Sequence, residues 1–144
     1  MASILKVDEL QGITSAGDIT VTSEGGAATQ SLQQGLVKVW AKIEQRAAVG
    51  IDDSFNVSSG TDASTGAIEV NLSNNMSAAE YSISGLGGYY DSPSQTDLVG
   101  AYGMRRNYAP TTSQYKTQAA STLWSDSGGV DLDNNCSMVA GDLA

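Results

Sequence analysis

The chain has no histidine, and its 144 residues include one cysteine, one phenylalanine, two prolines and seven basic side chains. Without imidazole there is no Ser-His-Asp or Cys-His pair, no histidine-ligated zinc and no imidazole base. Cys136 has no partner for an intrachain disulfide and no histidine to activate it, so it reads as an inert thiol buried in a strand. No apolar run approaches the roughly 20 residues of a spanning helix, and MASILKVDEL lacks the apolar stretch of a secretory leader. Sixteen acidic side chains against seven basic ones leave a net charge of −9. A phosphate backbone is repelled by such a surface, so no nucleic acid and no membrane insertion are expected. No cofactor or metal is called for. The remaining enzymatic routes would need carboxylates or Lys, and a carboxylate pair drawn from Asp52, Asp53, Asp91 and Asp97 acting on a glycan stays open.

The residues that are plentiful are Gly, Ser, Thr, Ala, Asn and Asp, which favour short strands joined by many turns. The expected fold class is all-β: an antiparallel β-sandwich or barrel-like domain with an extended N-terminal arm. The division expected is an anchoring arm and connector over 1–35 and a β domain over 36–144. In the arm, Ile4-Leu5-Lys6-Val7 and Asp18-Ile19-Thr20-Val21-Thr22 alternate as strands with little of their own to pack against. Ile4, Leu5, Val7 and Leu10 are the anchoring candidates, because such a segment gains stability by adding to another sheet. GGAATQSLQQG, from Gly25 to Gly35, reads as a polar connector with one helical turn.

VKVWAKIEQRAAVGIDDSFNVSS, from Val37 to Ser59, is ambiguous. Leu32, Leu36, Trp40, Ile43 and Ala47 recur at helical spacing, whereas Val37, Val39, Ala41 and Ile43 alternate as in a strand. Gly50 and the alternation of Asp53 to Ser58 follow too closely for a helix, so Val37 to Ile43 is read as a strand with Trp40 on the face opposite Val39 and Ala41. Trp40 is assigned to packing or to an interface between subunits. Ala67 to Leu72 and Ala79 to Ser84 alternate in the same way, with turn-rich stretches at 59–66 and 73–77, which predicts a meander. Leu98 to Tyr108, Tyr115 to Ala119 and Ser137 to Ala140 complete the strand set.

Tyr89, Tyr90, Tyr102, Arg105, Arg106 and Tyr108 are the residues with binding character, since Tyr and Arg are enriched where interfaces or sugars are held. Two roles are open for them: packing between subunits, or recognition of an external partner. Three other motifs have plain readings. Asp131-Leu132-Asp133-Asn134-Asn135 starts like a calcium loop, but Cys136 stands where the loop needs Gly, so a solvated acidic turn is expected. Gly85-Leu86-Gly87-Gly88 lacks the Lys-Ser/Thr of a phosphate loop and is expected to be a turn. The Asn-x-Ser triplets at Asn56, Asn71, Asn75 and Asn135 have no secretory leader to make them glycan acceptors.

One resemblance covers most of the chain. Lys38-Val39-Trp40, Asp53 to Ser59, Ser64-Thr65-Gly66, Ile68-Glu69-Val70-Asn71-Leu72 and Met76-Ser77-Ala78-Ala79-Glu80-Tyr81 resemble, in this order, a domain of tailed-bacteriophage virion proteins, especially tail-fibre C-terminal regions. Cys136 to Ala144 is similar to the closing strand of that domain, and Ser3 to Gln11 to the leader that precedes it. Leu86 to Pro110 lies outside the match. The resemblance implies a non-enzymatic virion part, made in the host cytoplasm and displayed on the outer surface of the particle, with a homotrimer as its assembly. It implies a capsid decoration (cement) or short head-fibre protein touching the major capsid or other virion proteins. The alternative is a tail-fibre or tail-tip module that attaches to a host surface glycan or protein.

Overall fold

The computed structural model describes residues 4–15, 19–88, 99–121 and 128–144. The chain divides into two compact units, Met1–Leu36 and Val37–Ala144. In the first, β1 (Thr20–Thr22) and β2 (Thr29–Ser31) form an antiparallel hairpin. Gly26 turns it at φ +71°. Ser31 then caps a single helical turn, α1 (Leu32–Gly35). The reading of Gly25 to Gly35 as a connector is therefore corrected: the strand expected at Asp18 to Thr22 forms over Thr20–Thr22 and finds its partner nine residues downstream, inside that stretch. The expected strand at Ile4 to Val7 is not formed: this stretch has no regular structure.

The second unit is an antiparallel sandwich. Its strands are β3 (Val37–Glu44), β4 (Gly50–Phe55), β5 (Val57–Ser64), β6 (Ala67–Leu72), β7 (Ser82–Gly88), β8 (Val99–Met104), β9 (Gln114–Ser121) and β10 (Asn134–Ala140). One sheet has the order β4-β3-β10-β7 and the other β5-β6-β9-β8. The inward set follows the period of two. Val39, Ala41 and Ile43 of β3 and Val139 of β10 meet Ile68, Val70 and Leu72 of β6 and Tyr115 of β9, with Met76 closing the cluster. Tyr115 is fully buried, and its hydroxyl lies 2.8 Å from Ser137 Oγ in the facing sheet.

Four local expectations are corrected. Asp53 to Ser58 is not one strand: Asn56 sits at φ +59° between β4 and β5, and the chain passes there from one sheet to the other. The expected loop at 59–66 is mostly β5, because Gly60, Thr61, Asp62 and Ser64 pair with β6 and only Thr65-Gly66 turns. The meander is broken, since β6 pairs with β9 while β7 joins the opposite sheet beside β10. Gly85 to Gly88 is strand, not turn. Its glycines leave room for a ring: a Cβ on Gly85 would stand 2.7 Å from Tyr102 Cδ1.

Asn56 holds the corner through its side chain. Its Oδ1 accepts from Asn74 N at 2.7 Å and Asn74 Nδ2 at 3.1 Å, and its Nδ2 donates to Asn74 O at 3.1 Å and Lys38 O at 3.3 Å. Asparagine tolerates the left-handed region better than other side chains with a Cβ. Asn56→Ala should therefore cost about 2 kcal/mol, from strain plus lost bonds. Asn56→Gly should recover the strain part. Urea unfolding of the two variants measures the difference, and equal midpoints would show that the backbone angle contributes nothing.

Candidate functional surface

The predicted contact residues do not come together at one place. Ile4, Leu5, Val7 and Leu10 are exposed, as is Ile13, so this segment presents apolar side chains along a stretch without regular structure. Tyr89 and Tyr90 lie outside the described residues. Tyr102, Arg105, Arg106 and Tyr108 belong to β8 and the turn after it, but they do not form one surface.

Tyr102 points between the sheets, against Gly85 and Gly87. Its hydroxyl is 3.1 Å from Thr117 Oγ1. Burial raises its pKa, and the Thr117 hydrogen bond works the other way. It packs against the protomer's own strands, half-buried. Arg105 is half-buried, its backbone N–H donating to Lys116 O at 3.0 Å, whereas Arg106 is exposed beside Asn107 at φ +60°. Neither guanidinium pairs with a carboxylate among the described residues. Tyr108 lies beneath Lys116, whose Nζ is 4.6 Å from the ring centre and 2.6 Å from Glu69. The Tyr108 hydroxyl is buried without a partner among the described residues.

Two further tyrosines serve the fold. The Tyr81 hydroxyl donates to the carbonyl oxygens of Thr111 at 2.8 Å and Gln114 at 3.0 Å. Burial pushes its pKa up to about 12, with Tyr115 and Tyr108 adding to the rise, and burial raises that of Tyr115 as well. A phenol bound more tightly to its proton when folded contributes fully below its unfolded pKa of about 10. Above that pH the unfolded chain ionises first, so stability should be level up to about pH 10 and fall from there toward 12. Urea midpoints across this range, read beside Tyr81→Phe, test the point: the variant should show a shallower fall, and an equal slope would remove Tyr81 from the account.

The acidic turn is bound into structure. Asp131 Oδ1 accepts from Gly66 N at 2.6 Å and Asp133 Oδ2 from Arg46 Nη1 at 3.3 Å. Among the described residues no group of three or more Asp, Glu, Cys or His side chains is placed to hold a metal ion.

Trp40 is on the outer face of its sheet, opposite the buried Val39 and Ala41, and is exposed. It is not alone there. Register places Phe55 on one side of it and Met138 on the other, both exposed. One row along the strands, Leu86 stands opposite Cys136 and Cys136 opposite Lys42. Cys136 is therefore half-exposed on the outer face and not buried as expected, because β10 turns Asn135, Ser137 and Val139 inward. The sequence reading missed Phe55, Leu86 and Met138. The signal for Phe55 was Asn56, whose corner puts Phe55 and Val57 in different sheets. For Met138 it was the alternation with Val139. No family model, curated protein or solved structure matches the chain.

Proposed function

We propose that this chain is a structural part of a tailed-phage particle, a capsid decoration or short head-fibre protein that acts as three copies on the outer surface. The observation that carries this reading is the segment from Ile4 to Ile13. It exposes five large apolar side chains and has no strand or helix to organise them. Such a segment is suited to docking on another protein, ordering only when its apolar side chains are covered. The motif order from Lys38 to Tyr81 supports the phage assignment, and the acidic composition suits a surface turned away from packaged DNA.

Removing Met1 to Gln11 should leave the β domain folded and abolish attachment. Circular dichroism and co-sedimentation with particles lacking the protein provide the readings. A truncated chain that still binds particles would remove the anchoring role. Labelling the chain on intact virions should place it over the head, and label confined to the distal tail would replace decoration with the tail-fibre alternative. For that alternative, the exposed Arg106 on the β8–β9 turn is the favoured contact, and purified protein should then compete with phage for adsorption.

A further inference from the structure

We infer that the outer face of the β4-β3-β10-β7 sheet is where copies of this chain meet, which rests on the several-copy reading above and names its contact. The exposed fractions are 37% for Trp40, 52% for Phe55, 51% for Met138 and 77% for Leu86. With full side-chain areas of about 150–250 Å², these four leave roughly 400 Å² of apolar surface open, within the size range of a monomer's largest patch. A stable interface takes about 800 Å² from each partner, with an apolar centre and a polar rim. The patch supplies such a centre, and the polar residues around it the rim.

Shape and charge both favour a second copy as the occupant. Phe55, Trp40 and Met138 form a ridge across three adjacent strands. Beside it runs a shallow groove of about 280 Å³, lined by Ser84, Gly85, Leu86, Cys136, Ser137 and Met138. One face thus holds both a projection and a recess, as a surface needs if each copy is to place its ridge in another's groove. A chain of net charge −9 repels its own kind over most approaches. On this face the ridge is uncharged, and in the row beside it Lys42 pairs with Asp52 at 2.8 Å and stands opposite Asp53. Copies meet here with little electrostatic opposition.

The test uses the full chain in sedimentation velocity with Trp40→Gln/Met138→Gln, and Met104→Gln as control, since Met104 is exposed on the other sheet. The wild type and control should be oligomeric, and the double variant should associate at least about 30-fold more weakly. A monomeric wild type, or a folded double variant that stays oligomeric, overturns the inference. Wild-type Cys136 gives a second measurement that needs no variant. Alkylation by iodoacetamide should be slow in the oligomer and should speed up about tenfold or more on dilution to the monomer, as the groove opens. A rate independent of concentration would place the contact elsewhere. Because the contact is apolar and nearly uncharged, association should change little with added salt; a steep weakening with salt, the mark of a contact made by charge pairs, overturns the inference. The labelling of virions is read independently, so failure of this contact leaves the decoration reading standing, and the reverse.

Discussion

Gly85→Val is expected to lose about 3–5 kcal/mol, a large share of the roughly 5–15 kcal/mol that holds an ordinary domain folded. A Cβ at this position would stand 2.7 Å from the carbonyl oxygen of Cys136, a backbone atom of the neighbouring strand. The same Cβ would enter the Tyr102 ring. The ring has little room to retreat, because its hydroxyl is tied to Thr117 and it fills the space between β7 and β8. Overpacking of this kind forces backbone movement, which costs more than a shifted rotamer. Guanidinium unfolding and near-ultraviolet circular dichroism measure the loss. A milder pair locates the cause: Gly85→Ala and Tyr102→Leu should each destabilise, and the double variant should be less destabilised than the sum. If Gly85→Ala is neutral, or the effects simply add, the fit of ring to glycine contributes nothing.

The second large effect is expected at Gly66, where Gly66→Ala should cost about 3–4 kcal/mol. Gly66 turns the β5–β6 hairpin at φ +74°, a region that costs a residue with a Cβ about 1–2 kcal/mol. The added carbon would also lie 2.5 Å from Ala119 O and 2.8 Å from Gly129 Cα, both backbone. Two bonds depend on the same geometry: Gly66 N donates to Asp131 at 2.6 Å, and Ala119 N donates to Gly66 O at 2.8 Å. Gly88→Ala is the control, since a Cβ there meets nothing within 4 Å among the described residues, and it should be close to neutral. Comparable unfolding midpoints for the two variants would refute the special role of this turn.

Strand content was readable where side chains alternate strongly. Val39, Ala41 and Ile43 identified β3 despite the helical spacing of Trp40 and Ile43, and Ile68, Val70 and Leu72 identified β6 to the residue. The pairing of those strands was not readable. Alternation reports which face a side chain takes and says nothing of the sheet to which a strand belongs, so the switch at Asn56 and the placement of β7 beside β10 stayed hidden. Gly85 and Gly87 were misread for the opposite reason. Their small size answers a tyrosine in the other sheet, a long-range cause that a local window takes for a turn. The contact surface was half legible: Trp40 was singled out, while Phe55, Leu86 and Met138 become its neighbours only once the register is known.

The central place of β10 bears on how the protein is made. It pairs with β3 on one side and β7 on the other, so the first sheet is two separate pieces until Asn134–Ala140 arrives. During synthesis β3 and β4 can pair early, as can β5 and β6, but β7 has no sheet partner until the ribosome has released residue 140. A nascent chain therefore carries unpaired strand edges until β10 is made, and completes the domain only by a long-range closure that is slow by nature. Shortening the chain before β10 removes far more than a tail: it withdraws the strand on which half of the sandwich is assembled.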